Sequence, residues 1–483
     1  MVLNWQTISL KNKKTKKIIA LFMAAALFLT GVAPSFADDS KGQQMSPSVR
    51  ISSKDAPSVE GTSAILMDAG SGEILYEKNA REKRDPASVT KIVTCLVVLE
   101  TMDMDEEVTA AVTFDPSTGG VGIKIKKGEV FTVEQLLYAL MLSSANDAAE
   151  VLAIASGGSI ENFCELMNER AKRCGAIDTG FSNPSGLNGE GYGSNVTTAY
   201  DLALISIEAM KNKEFRKIVS TVEYSIPATN MSGAREFINV NRCISDGETT
   251  LENAEKPTDG KSFRYEGCLG IKTGYTRAAG NCFSGWAVKE DTELSAVIMN
   301  SSSYTSRFED VISLWDYGFK NYYTYNVVSA GEMVGEVEIK RGEKGSVSVS
   351  VNDDLDITLN REYKSKGITT EIIPAEEKIK APVKKGDEVG SIMVYKDEKP
   401  VAEAPVYAVS DVGKGGILSY IGMPDDKVPM FIIGFVIAVI ILLILVRMYR
   451  VNKYRKRMRK RAQINRNARR REWEKERNPF DRY

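Results

Sequence analysis

The chain has 483 residues, 43% hydrophobic and 26% charged, too long for one ordinary domain and without the bias of a disordered or collagen-like protein. Its formal charge of −1 conceals basic ends around an acidic body: residues 1–37 carry five Lys and no acid, and residues 447–483 carry sixteen Lys and Arg against four Asp and Glu. That distribution argues against a nucleic-acid-binding enzyme and suits a protein whose ends meet a membrane.

The basic run Lys11 to Lys17 precedes an apolar run from Ile18 to about Leu29, and Ser35-Phe36-Ala37 follows with small residues at the −3 and −1 positions. Residues 1–37 therefore read as a secretory signal peptide cut after Ala37, and residues 38–54 as a linker. The apolar runs Ala64–Asp68 and Ile74–Tyr76, joined by Gly70-Ser71-Gly72, predict a β-hairpin. Ser88–Glu100 predicts a helix after Pro86. Thr132 with Gln135 three residues later predicts a capped helix to about Met141. Further helices are predicted over Asp147–Ala155, Thr198–Met210 and Phe308–Phe319, with paired strands at Gly285–Val288 and Leu294–Met299. Strands at both ends of residues 55–327 with helices between them define one α+β unit rather than a repeating βαβ sheet.

From 328 to 410 the pattern changes. Val347–Val351 and Leu355–Leu359 alternate strictly, and more apolar runs follow between turns, which predicts a small all-β, sandwich-like domain. Residues 411–427 read as a linker. Val428–Val446 is a run of nineteen uncharged residues, about 29 Å as a helix and so one bilayer core. The basic tail 447–483 would remain in the cytoplasm by the positive-inside rule.

Six cysteines form neither a C-x-x-C pair nor a zinc pattern. Cys243 and Cys268 flank a polar insert, residues 244–267, and are the first candidates for a disulfide in an exported chain. No metal or cofactor is expected.

The chain contains no His. Catalytic triads, Cys–His pairs and His-ligated zinc are excluded, so a serine nucleophile needs another base, and Lys is the common alternative. Ser88-Val89-Thr90-Lys91 supplies that pair at i and i+3, on one helix face. A Ser88 N–H at the helix start would be a ready oxyanion donor. Ser144-Ala145-Asn146 offers a hydroxyl for proton relay and an amide for a peptide carbonyl. Lys272-Thr273-Gly274 offers positive charge for a carboxylate, a hydroxyl donor, and a residue without Cβ beside which a ligand can lie. Each triplet alone is weak, but S-x-x-K, S-x-N and K-T-G in this order form the signature of penicillin-recognising serine enzymes.

The chain resembles the low-molecular-mass penicillin-binding proteins that act as serine D-Ala-D-Ala carboxypeptidases. Asp85–Lys91, Met67–Leu75, Phe181–Leu187 and Gly270–Thr276 are similar to family motifs, and the all-β domain is similar to the family's C-terminal domain. The resemblance implies a penicillin-binding, β-lactamase-like catalytic domain. It implies Ser88 as acyl-forming nucleophile, Lys91 as base, and Ser144 and Asn146 as proton shuttle and peptide holder. Lys272, Thr273 and Gly274 would receive the terminal carboxylate, with Arg307 near it. The N–H groups of Ser88 and Tyr275 would form the oxyanion hole. The implied partners are a peptidoglycan stem peptide ending in D-Ala-D-Ala, β-lactams as covalent inhibitors, and the plasma membrane. Tyr192 and Tyr275 stand where relatives often carry His. A serine β-lactamase shares the triplets, but its E-x-x-L-N segment is missing. A sensor that acylates without turnover is a further alternative.

Overall fold

The computed structural model describes residues 56–477 apart from 112, 114–119, 188–192, 246–260, 363, 364 and 366. The expected signal peptide, the linker to residue 54, Tyr192 and most of the 244–267 insert lie outside the described residues.

The predicted hairpin forms as β1 (Ser63–Asp68) and β2 (Ile74–Lys78). All six residues of β1 are buried, because it is an inner strand covered on both faces. Ile65 and Met67 join one hydrophobic cluster, and Ala64 and Leu66 join another, as the alternation of a strand requires. A 3₁₀ turn (Ala87–Thr90) leads into α1 (Lys91–Thr101), so the helix predicted from Ser88 begins three residues later. Lys91–Val98 are all buried, which makes α1 the centre of the helical half. A short ribbon, β3 (Glu107–Thr109) and β4 (Val130–Thr132), precedes α2 (Val133–Leu142). Here the predicted capping box is present: Gln135 N–H donates to Thr132 Oγ1 at 3.2 Å, and Thr132 N–H donates to Gln135 Oε1 at 3.0 Å. Next come α3 (Asn146–Gly157), α4 (Ile160–Arg173), α5 (Ala199–Lys211) and α6 (Lys213–Ser220), then the ribbon β5 (Glu223–Ile226) and β6 (Arg235–Ile238).

Three long antiparallel strands complete the main sheet: β7 (Cys268–Thr276), β8 (Gly280–Lys289) and β9 (Thr292–Ser301). The order β2-β1-β9-β8-β7 brings the first hairpin against the last strands. α5 packs on one face and α7 (Ser306–Asn321) on the other. Trp315 of α7 is fully buried against Phe283 of β8. β7 forms a sheet edge, and its middle carries K-T-G.

The second domain holds β10 (Tyr322–Val328), β11 (Met333–Lys340), β12 (Ser346–Ser350), β13 (Leu355–Asn360), β14 (Ile368–Pro374), β15 (Ile379–Lys380), β16 (Glu388–Lys396) and β17 (Lys399–Ala408). β10 pairs with β13, and the other six form one sheet. Val347, Val349, Leu355, Ile357 and Leu359 point inward at every second position, as their alternation predicts. Residues 411–427 do not hang free: Val383 pairs with Val412 and Gly342 with Lys414. The chain then enters α8 (Val428–Arg477), which is long and apolar enough over its first part to cross a membrane by length and composition.

Several polar contacts join the domains. Thr324 Oγ1 donates to Asp68 Oδ2 at 2.8 Å, Ser71 and Thr358 hydroxyls meet at 2.5 Å, Thr324 N–H donates to Thr292 Oγ1 at 2.9 Å, and Arg361 pairs with Glu290 at 3.0 Å. Burial, and then the neighbouring Asp68 carboxylate, raise the Glu73 carboxyl at this junction to about 7. Glu73 therefore binds a proton more tightly in the folded than in the unfolded chain. Its contribution is complete below its unfolded pKa of about 4.5 and is lost as pH rises through about 7. The Tm of the wild-type protein should fall across that window more than the Tm of Glu73→Gln. Parallel curves in scanning calorimetry at pH 5 to 8 would refute this assignment.

Candidate active site

The site forms where the turn before α1, the loop between α2 and α3, the 183–186 loop and β7 converge. Asp85 Oδ1 accepts the Ala87 N–H at 2.8 Å and pins the turn. Ala87 adopts φ 48°, a left-handed conformation that a non-glycine residue holds only under constraint. Gly186 presses against this turn so closely that an added Cβ would lie 1.9 Å from the Ala87 carbonyl oxygen. Gly274 of β7 meets it from the other side, where a Cβ would lie 3.0 Å from both Pro86 O and Ser88 N. Gly274 was expected to make room for a ligand; the space beside it belongs to the nucleophile turn, which it lets β7 approach.

Lys91 is completely buried, and its Nζ has three partners. It lies 3.1 Å from Ser88 Oγ, 2.6 Å from Asn146 Oδ1 and 2.6 Å from the Ser185 carbonyl oxygen. Burial pushes its pKa well below the ordinary lysine value, the Lys272 charge adds to that, and Asp147 and Glu150 oppose it. A neutral amine has two N–H bonds and one lone pair. The amide oxygen and the carbonyl can only accept, so they take both hydrogens and leave the lone pair for the Ser88 hydroxyl.

Ser144 sits half-buried at φ 63° in the loop before α3, two residues ahead of Asn146. Asn146 N–H donates to Val121 O at 2.7 Å. Asp147, read from the sequence only as a helix start, accepts the N–H groups of Ile123 and Ile125, each at 3.1 Å. It thereby ties the 121–125 segment to this loop.

On β7, Lys272 is 1% exposed. Burial, then the Arg307 charge, lower its pKa to about 7. Arg307 Nη1 donates to Gly274 O at 3.1 Å, which brings this residue from α7 to the K-T-G strand. Two cations held close in a desolvated place suit an anion such as a carboxylate. Thr273 is nearly buried, and Tyr275 stands 52% exposed beyond it.

Sequence reasoning missed how Lys91 is aimed. Asn183 Oδ1 accepts the Gly186 N–H at 2.7 Å, and its Nδ2 donates to Leu187 O at 2.8 Å. Asn195 Oδ1 accepts the Ser182 N–H at 2.7 Å, and its Nδ2 donates to Asn183 O at 3.0 Å and Thr90 Oγ1 at 3.1 Å. These two buried amides shape the turn that presents the Ser185 carbonyl. Phe181–Leu187 stood out in the sequence only as similar to a family motif, and nothing in the sequence links Asn195 to it. Cys243 and Cys268, the expected pair, are neighbouring thiols that carry no disulfide in this structure.

A lysine aimed at a serine, beside a paired cationic subsite on a sheet edge, defines a serine acyl-transfer enzyme of the penicillin-binding fold. Residues 50–303 match the D-alanyl-D-alanine carboxypeptidase family, and residues 322–414 match the C-terminal domain of penicillin-binding protein 5. The chain is 31% identical over 367 residues to the D-alanyl-D-alanine carboxypeptidase DacF of Bacillus subtilis, covering 75% of this chain and 88% of that protein. Penicillin binding protein 5 from Haemophilus influenzae superposes with a TM-score of 0.60 at 25% identity, covering 74% of this chain and 99% of that one. Penicillin binding protein 6B from Escherichia coli gives 0.54 at 25% identity, covering 76% and 99%. This chain belongs to the D-alanyl-D-alanine carboxypeptidase family, and is a hydrolase of the serine type.

Two predictions follow from the geometry. D-Ala release should rise with pH as Lys91 loses its proton and fall above about pH 7 as Lys272 loses its own. Lys272→Arg, whose guanidinium does not titrate, should remove the alkaline limb at a reduced overall rate. An unchanged limb in that variant's pH–kcat/KM profile would show that another group sets it. Asn195→Ala should lower kcat by up to about 10²-fold through misdirection of Lys91, with KM little changed; equal kcat values would remove Asn195 from the aiming of the base.

Proposed function

We propose that the protein trims peptidoglycan stem peptides outside the plasma membrane by removing the terminal D-Ala through a Ser88 acyl-enzyme. The observation that carries this reading is the Lys91 amine, held by two acceptors and facing the Ser88 hydroxyl. Lys91 takes the hydroxyl proton as Ser88 Oγ attacks the carbonyl carbon of the D-Ala-D-Ala bond. The tetrahedral oxyanion is received by the N–H groups of Ser88 and Tyr275. Collapse breaks the C–N bond, and the proton that Lys91 took passes through Ser144 to the departing D-Ala amine, which leaves Lys91 neutral. Asn146 holds both the base and the peptide. Lys272, Thr273 and Arg307 bind the terminal carboxylate, which raises the Lys272 proton affinity while substrate is bound. Water then attacks the ester, with Lys91 again as base, and frees Ser88. A β-lactam follows the first step, but its amine stays tethered to the acyl group, and the enzyme stalls.

In this reading the catalytic domain runs from residue 55 to about 321 and the second domain from 322 to 410; the boundary expected at 327/328 falls earlier because β10 (Tyr322–Val328) pairs with β13. Residues 1–37 direct export, residues 428–446 of α8 span the membrane, and the basic tail from 447 lies in the cytoplasm. The span has no acidic or basic side chain and is followed at once by Arg447 and Arg450, which supports that orientation.

Full-length protein should be labelled by a fluorescent penicillin and should release D-Ala from a diacetyl-Lys-D-Ala-D-Ala peptide. Ser88→Ala should lose the label, and release should fall by about 10⁴-fold or more. A label that persists in Ser88→Ala would assign the nucleophile elsewhere, and labelling of wild type without D-Ala release would favour a sensor.

A further inference from the structure

Residues 411–427 end in an apolar patch at the foot of α8. The 3₁₀ turn Ile417–Ile421 presents Ile417 at 89% exposure, Tyr420 at 58% and Leu418 at 42%. Ile417 is the most exposed large apolar side chain among the described residues. Together with Val428 and Pro429, Ile417 and Leu418 line a shallow depression where the helix begins.

This patch is fastened to the second domain. Gly415 N–H donates to Arg341 O at 2.9 Å, and Asp426 N–H to Glu343 O at 3.1 Å. Glu343 N–H donates to Gly413 O at 3.0 Å, and Gly413 N–H returns a bond to Glu343 Oε1 at 3.2 Å. Asp425 accepts the Gly416 N–H at 2.9 Å, and the Arg341 guanidinium lies 5.3 Å from the centre of the Tyr420 ring. These bonds turn Ile417, Leu418 and Tyr420 outward at the point from which α8 departs. Left in water, such side chains forgo the gain of burial, and a connection that only had to be flexible would have no use for them.

We propose that Ile417, Leu418 and Tyr420 insert into the outer headgroup–acyl boundary of the same bilayer that α8 crosses, seating the second domain on the membrane. The inference rests on the reading of α8 as a span. Ile417 and Leu418 share one depression with Val428 and Pro429 of the apolar helix, which Asp425 also lines, and a Tyr with an apolar ring and a polar tip suits that depth. The surrounding charges are mixed: Arg341, Lys414 and Lys427 against Glu343, Asp425 and Asp426. Insertion is therefore driven by apolar burial and does not depend on anionic lipid or on salt. The domain junction is hydrogen-bonded as well, so seating limits the heights above the membrane that the Ser88 groove can reach.

The test uses full-length Tyr420→Trp in nanodiscs of zwitterionic phosphatidylcholine, with Leu418→Trp as a second variant should the first misfold. Fluorescence added over wild type should be blue-shifted and at least halved by lipid brominated near the top of the acyl chains, equally at low and high salt. Unquenched emission at the aqueous wavelength from protein that remains in the nanodisc overturns the proposal while leaving the span intact. Blue-shifted but unquenched emission from two chains per disc also overturns it and assigns the patch to a second copy. Protein that does not incorporate into nanodiscs refutes the span and this inference together.

Discussion

The structure depends on keeping a lysine amine in its core. Lys91 enters a region where a lone ammonium would cost several kcal/mol, and the fold surrounds its Nζ with acceptors from two distant parts of the chain. Asn146 arrives from α3 and the Ser185 carbonyl from the 183–186 loop. The convergence of these segments on α1 explains why the helical half packs as it does. α1 is buried along its first eight residues, α3 must begin beside Lys91 to deliver Asn146, and the 183–186 loop must close over the turn that precedes α1. Gly186 and Gly274 mark the two closest approaches, one from the loop and one from the sheet.

The same constraint shapes the electrostatics. Lys91, Lys272 and Arg307 share one desolvated region, where the Lys272 charge makes protonation of Lys91 harder and the Arg307 charge makes protonation of Lys272 harder. The outcome divides the work. Lys91, fully buried and facing the Lys272 charge, is the one driven towards the neutral form that a base requires. Lys272 and Arg307 lie along the strand where a carboxylate would restore the balance of charge. A chain without His thus obtains an amine base and an anion site from one arrangement.

Much of this was legible in the sequence, because the signals were local. The hairpin, the Thr132 cap and the alternation of Val347–Val351 each state their structure within a few residues. The three triplets stated the chemistry, and their order stated the family. What escaped notice was non-local. Asn195 acts on Lys91 through the backbone of a turn, and a carbonyl such as that of Ser185 has no signature in a sequence. β7 is longer than its apolar residues suggest because pairing with β8, not composition, defines it. Residues 411–427 read as a linker because Gly and Asp are frequent there, yet their backbone bonds find partners at Arg341 and Glu343. α4 was missed although Ser159 caps it and Phe163, Cys164, Met167 and Ala171 mark its buried face.

The central claim is that Lys91 is a neutral amine in the resting enzyme, with its lone pair on Ser88. The most direct measurement is a ¹⁵N NMR titration of lysine side-chain nitrogens in the full-length protein, with the Lys91 signal assigned by its loss in Lys91→Met. The account predicts a neutral-amine shift at pH 7 that gives way to an ammonium shift only at lower pH. An ammonium signal that persists to pH 10 would contradict it.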